Sequence, residues 1–282
     1  MKGTGLLLKR HTSRKRYSSS KTLGSVPVNQ LPDEYLLVSR VLDQGFYNTC
    51  TAFSAVAARE SRTGKGYVPQ YFFAQEMAQQ GVVSLGGVDL KTLLKTGAER
   101  NSFLSLYYKT SLADATDSEF ADPRNWPDFS SVAEKEEKYF WCDGFGLDMF
   151  DRVRIAMWVN RDRKVTVLAG ARWHYQWNVA TGIIPETYNS PIGGHAFKIA
   201  GWKQINGQPH LVIQNSWGMD DGDSGLFYMS RTVANKALTY GAGYWLDLPP
   251  ELDRPRTIGL INSILEDIRN LLNRIKLSLW KP

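Results

Sequence analysis

Apolar positions in the first half of the chain recur mostly at helical spacing. Between Thr49 and about Arg62 they fall at Ala52, Phe53, Val56 and Ala57, which predicts a helix beginning just before Cys50. Pro69 through Gln79 predicts a second short helix opened by a proline, and Asp89 to Lys95 a third with Asp89 near its start. Gly86-Gly87 punctuates the connection between them. The stretch from about 108 to 147, with turns at Asp122-Pro123 and Trp126-Pro127, predicts an irregular surface region crossing between two halves.

The period then changes. Met149, Val153, Ala156 and Met157 place a helix over Asp148 to Asn160, and Val165 to Ala169 is strand-like. Further strands are predicted at His195 to Trp202, His210 to Gln214 and Leu226 to Met229, with turns at Asn206-Gly207 and Asp221-Gly222. The sum is an α+β chain, mainly helical first and antiparallel sheet second. Near the end, Ile261, Ile264, Leu265, Ile268, Leu271, Leu272, Ile275 and Leu279 line one face of an amphipathic helix. Such a face serves packing on the parent domain, self-association or membrane-surface contact.

Charge divides the chain. Its formal net charge is +6, yet Lys2, Lys9, Arg10, Arg14, Lys15, Arg16 and Lys21 occupy the first 21 residues without one Asp or Glu. The remainder is therefore close to neutral, which argues against specific nucleic-acid binding by the folded body. Residues 1–30 read as a basic, flexible arm able to meet an anionic partner, 31–250 as the folded domain and 251–282 as a helical extension. The 9 Trp, 13 Tyr and 12 Phe supply large anchors for a core and exclude global disorder.

Two cysteines, Cys50 and Cys142, give no disulfide framework, and the apolar run Leu6-Leu7-Leu8 is too short for a secretory segment. Together these predict a reducing, cytoplasmic setting. No stretch approaches the roughly 18 apolar residues of a membrane span.

Candidate chemistry begins at Cys50. At a helix N-terminus a thiol gains thiolate character from the exposed N–H groups, although a helical cysteine also serves as a small buried apolar residue. His195 opens an apolar strand after Gly193-Gly194, as a base or as a structural imidazole. Asn215, beside a strand end, could orient an imidazole or satisfy local backbone. Gln44 carries two N–H donors six residues before Cys50, suited to a developing oxyanion or to solvent.

Asp43-Gln44-Gly45, Asn48-Thr49-Cys50 and Ala52-Phe53-Ser54 resemble the nucleophile segment of papain-like cysteine peptidases. His195-Ala196 and Asn215-Ser216-Trp217-Gly218 resemble that family's two other signatures, in family order. Leu31-Pro32-Asp33-Glu34-Tyr35 resembles a mature-enzyme start, and Gly222 to Phe227 the turn and strand after the Asn motif, so the likeness spans roughly residues 31 to 247.

The resemblance implies a two-lobe fold, a helical lobe plus an antiparallel β-barrel-like lobe. It implies a thiol endopeptidase acting on peptide or protein through a thioester, without metal or organic cofactor. Cys50 would be nucleophile, His195 base and acid, Asn215 its orienter, and Gln44 with the Cys50 N–H the oxyanion hole. Trp217 would shield the Asn–His contact, while Gly86 and Gly87 would let an extended substrate approach. Trp173, Tyr175, Trp177 and Ile192 could wall a selectivity pocket or fill the core.

Tyr47, Asn48, Thr51 and Ser84 depart from the family's cysteine, glycine, tryptophan and cysteine. These changes keep open a thioester-forming transferase or deamidase, or an inactive peptide-binding protein. The family's zymogens carry a long inhibitory pro-segment, whereas about 30 residues precede the resemblance here.

Overall fold

A computed structural model of the chain describes residues 3–8, 27–83, 86–108, 110–111, 118–136, 138–142 and 147–246. Met1–Leu246 form one unit and Asp247–Pro282 a second. The predicted C-terminal helix lies outside the described residues.

Three helices build the first lobe. Helix α1 (Cys50–Thr63) starts at Thr49 and ends at Gly64, whose left-handed φ of 72° lets its N–H close back on the Glu60 carbonyl. Its Ala-rich first three turns are buried, because small side chains let neighbouring backbone approach closely. Helix α2 (Pro69–Gln80) has Pro69 in its first turn, and α3 (Leu90–Glu99) is capped by Asp89, which accepts from Thr92 N–H. Tyr67, Phe72, Phe73, Phe103 and Phe120 fill the space among them.

The sheet carries the second lobe: β1 (Tyr35–Leu36), β2 (Lys138–Trp141), β3 (Val167–His174), β4 (Pro191–Ile205), β5 (Gln208–Gln214), β6 (Leu226–Ser230) and β7 (Ala242–Leu246). Strands run in the order β2-β7-β3-β4-β5-β6, all antiparallel, with β1 added to β4. Helix α4 (Met149–Val159) and α5 (Arg231–Ala237) accompany the sheet.

This corrects the barrel-like expectation. Strands β2 and β6 stand at opposite ends and do not pair, so the sheet is open. The β6 edge is instead taken by Gly182–Ile184: Ile184 N–H donates to the Tyr228 carbonyl (3.0 Å) and Tyr228 N–H to the Gly182 carbonyl (2.7 Å). With those groups satisfied locally, β6 has nothing to offer a closing strand.

Strand β4 joins the lobes. The wholly buried Lys198 sends Nζ to the carbonyls of Leu37 (2.9 Å) and Ala57 (3.4 Å) and to the hydroxyls of Ser39 (3.1 Å) and Ser61 (2.5 Å). It thereby ties α1 and the incoming chain to the sheet, and burial holds its ammonium well below the usual lysine range.

Candidate active site

Cys50 is the first residue of α1, where no intrahelical acceptor exists for the first-turn N–H groups. The helix rises against β4, and β4 carries His195 opposite it. Two backbone bonds, Gln44 N–H to the Ser216 carbonyl (2.9 Å) and Gly218 N–H to the Leu42 carbonyl (3.0 Å), bring the loop before α1 beside the loop after β5. Three segments distant in sequence thus converge on one cleft.

His195 Nε2 lies 2.6 Å from Asn215 Oδ1. Ser216 N–H also donates to that oxygen (2.9 Å), which fixes the amide orientation and puts the imidazole proton on Nε2. Nδ1 has no hydrogen-bond partner and is free to accept a proton. The ring is buried between two indoles: Trp217 lies tilted against it at 4.4 Å between centroids and Trp173 meets it edge-on at 5.1 Å. Burial lowers the His195 pKa to about 4, against the opposing pull of Asn215.

Cys50 Sγ accepts from the N–H groups of Ala196 and Gly5, each at 3.3 Å. Burial still pushes the thiol up to about 11 despite those donors, and the nearby Glu76 adds to the rise. Glu76 is itself fully buried, accepts from Thr51 Oγ1 (2.9 Å), and is held well above the usual carboxylate range by burial. Thr51 thus points its hydroxyl at Glu76 of α2, within the helical lobe.

Gln44 Nε2 donates to the carbonyls of Tyr47 (2.7 Å) and Gly3 (3.1 Å), and its Oε1 accepts from Ser216 Oγ (2.5 Å). Trp217 Nε1 donates to the same Gly3 carbonyl (3.2 Å). Gly87, at φ 89°, lies against Gly5, whereas Gly86 is exposed. Among the four suggested wall residues, Trp173 and Trp177 are buried and Tyr175 is exposed.

Gly3–Leu8, six residues of the N-terminal arm, lie along this cleft. Beyond the bonds already given, Thr4 N–H donates to Asn48 Oδ1 (3.1 Å), Leu6 N–H to the Gly194 carbonyl (2.9 Å), Leu7 N–H to the Val88 carbonyl (3.0 Å), and Val88 N–H to the Gly5 carbonyl (2.8 Å). Leu6 bridges Val88 in parallel and is buried in the core cluster. Sequence reasoning missed this: the arm binds mainly through its backbone, and the short Leu6-Leu7-Leu8 run does not reveal where it docks. Among the described residues no His, Cys, Asp or Glu cluster could hold a metal ion.

The family model "Papain family cysteine protease" matches residues 30–240. The chain belongs to the papain family of cysteine proteases. It is 28% identical over 209 residues to a cathepsin B-like protein, CP2, of Giardia intestinalis, covering 70% of this chain and 65% of that one. It is 41% identical over 51 residues to a gut-specific cysteine proteinase of Caenorhabditis elegans, covering 18% and 16% respectively. The chain therefore spans less than two thirds of either relative.

Among solved structures, xylellain, a cysteine protease from Xylella fastidiosa, superposes with a TM-score of 0.64 at 20% identity, covering 88% of this chain and 97% of its own. Procathepsin B S9 from Trypanosoma congolense gives 0.65 at 15%, covering 86% and 85%. These two share the fold.

The relatives correct the cytoplasmic expectation. Several are cathepsin B-like proteinases, a group typically secreted or lysosomal, so a small cysteine count is no guide to compartment here.

Proposed function

We propose that this chain is a thiol endopeptidase in which Cys50 is the nucleophile, His195 the general base and acid, and Asn215 the imidazole's orienter. The observation that carries the reading is an extended peptide, Gly3–Leu8, lying across Cys50 beside the 2.6 Å His195–Asn215 contact. A cleft that binds peptide main chain through so many backbone groups is suited to a peptide substrate.

In the proposed reaction the Cys50 proton passes to His195 Nδ1 and Sγ attacks the carbonyl carbon of the scissile amide. The C–S bond forms as negative charge moves to the carbonyl oxygen, which takes hydrogen bonds from Gln44 Nε2 and the Cys50 N–H. As that oxygen's charge returns, the C–N bond breaks and the leaving nitrogen collects the proton from His195. Water then gives a proton to His195, attacks the thioester, and releases acid and thiol. Trp217 covers the His195–Asn215 contact, and Gly87 leaves room for substrate backbone.

The conformation described is a resting one. The arm engages Sγ through an amide N–H, and the dry surroundings favour neutral thiol and neutral imidazole over the ion pair. Loss of water and of access both oppose attack on an external peptide.

The test is cleavage of a diverse peptide library under reducing conditions by the full chain, by L6D, and by L6D/C50A, followed by mass. Products from L6D that vanish with C50A support the reading. A chain whose Cys50 alkylates readily in L6D yet yields no such products overturns it in favour of peptide binding or of transfer to an amine.

A further inference from the structure

Glu76 stands within α2, wholly buried, and no lysine or arginine pairs with it among the described residues. The other buried acids there each have a cation: Glu60 meets Arg40, Glu136 meets Arg59 and Arg62, and Asp151 meets Arg231. Glu76 Oε2 accepts from the Thr51 hydroxyl at 2.9 Å, and Oε1 has no partner among the described residues. A buried acid half supplied with hydrogen bonds costs stability that an apolar residue of similar size would not. Packing therefore does not account for it.

Its surroundings point to the nucleophile. Thr51 follows Cys50 at the start of α1 and faces two ways: its N–H eases ionisation of the thiol, while its hydroxyl turns to Glu76. Charge on Glu76 acts on Cys50 in the opposite sense and pushes the thiol up. Burial and Asp89, the cap of α3, both favour the protonated carboxyl, and the Thr51 hydroxyl opposes them. The other charges on elements packed against α2 are engaged or reach solvent. On α1, Arg59 and Arg62 hold Glu134 and Glu136; on α3, Lys95 pairs with Glu99, Lys91 is partly exposed, and Arg100 at its end engages Gln75. On the turns Ser118–Ala121 and Pro123–Asn125, Glu119 is exposed and Arg124 pairs with Asp122.

We propose that Glu76 is a positioning residue for the nucleophile: from behind Thr51 it sets the charge near the Cys50 sulfur, and the thiolate forms readily only while Glu76 carries its proton. The inference rests on the reading of Cys50 as the nucleophile and adds to it a limit on the alkaline side. As pH rises, solvent base removes the Glu76 proton, the electron pair of the O–H bond stays on the carboxylate, and the new charge opposes loss of the second proton, from Sγ. The gain in reactivity that a thiol shows with rising pH is thereby held back.

The experiment follows iodoacetamide alkylation of Cys50 by intact mass in full-length L6D, L6D/E76Q and L6D/T51V, from about pH 5 to about pH 9. Glutamine keeps an acceptor for Thr51 and removes the ionisable proton. Rates in L6D and L6D/E76Q are expected to agree at the acid end, and L6D/E76Q to become at least about threefold faster at the alkaline end. L6D/T51V, whose carboxyl has lost its one donor, should also outpace L6D at alkaline pH, because it keeps its proton longer. A folded chain yields one modified thiol; misfolding exposes the buried Cys142 as a second. A ratio of L6D/E76Q to L6D that is the same at every pH marks a merely structural residue and overturns the proposal. Should L6D/E76Q misfold, L6D/T51V decides, and a rate equal to that of L6D throughout overturns it. A gap that opens with pH, in a chain without any Cys50-dependent cleavage of library peptides, would instead sink the peptidase reading and leave the link between Glu76 and Cys50 standing.

Discussion

Ser216 Oγ donates to Gln44 Oε1 at 2.5 Å, and together with the Gln44 Nε2 bond to the Tyr47 carbonyl (2.7 Å) this contact sets which end of the Gln44 amide faces the cleft. With Oε1 held, Nε2 is left to point at the Gly3 carbonyl, the position a developing oxyanion would take. In S216A the amide loses one of its two restraints and keeps the Tyr47 contact. A net hydrogen bond of about 1 kcal/mol corresponds to about fivefold in rate. Cleavage by L6D/S216A is expected to fall about fivefold in kcat with KM little changed, and an unchanged kcat would deny the contact this role.

Gly5 passes so close to the loop before Cys50 that a methyl group on it would lie 1.8 Å from the Asn48 carbonyl oxygen; on Gly3 it would lie 1.9 Å from that of Tyr47. Both obstacles are backbone and cannot step aside. The substitution G5A should therefore lift the arm without touching the domain. Iodoacetamide labelling of Cys50 in the full chain is expected to accelerate at least about tenfold, since losing the backbone bonds that arm residues 5–7 make removes several increments of about 1 kcal/mol each.

Much of this was legible in the sequence, for reasons that differ by element. Helix α1 showed itself through alanine and aromatic spacing, and the core of β4 through a mostly apolar run after His195, broken by Lys198. Strands β2 and β7 did not show themselves. Lys138–Trp141 sits in a polar, turn-rich region, and Ala242–Leu246 is short and interrupted by Gly243; each becomes a strand by pairing with the other. The candidate residues Cys50, His195, Asn215 and Gln44 were nameable from their local motifs. The contact of Ser216 with Gln44 was not, because it joins partners far apart in sequence.

Glu136 is nearly inaccessible, yet holds two cations of α1: Arg59 Nη1 at 2.8 Å on one oxygen and the Arg62 guanidinium on the other. Arg59 also reaches Glu134 at 2.5 Å. Removing Glu136 would strand buried positive charge beside the helix. The variant E136A is expected to lose about 3–5 kcal/mol of unfolding free energy, read as a lower urea midpoint with little change in slope. A loss under about 1 kcal/mol would mean that Glu134 alone suffices for both arginines.

The buried imidazole links stability to pH. His195 titrates at about 4 in the folded chain against a usual 6.5, so between those values the unfolded chain binds a proton that the folded one does not. Stability from this group is full above about 6.5, declines as pH falls, and reaches its floor near 4. From pH 7 to pH 5 the loss is about 2 kcal/mol. Paired glutamates such as Glu134, held at about 2, contribute their own loss only at lower pH. In H195Q the decline from pH 7 to pH 5 should shrink by about that amount, measured as the difference in urea midpoints at the two pH values. An identical decline in H195Q would place the acid sensitivity on other groups.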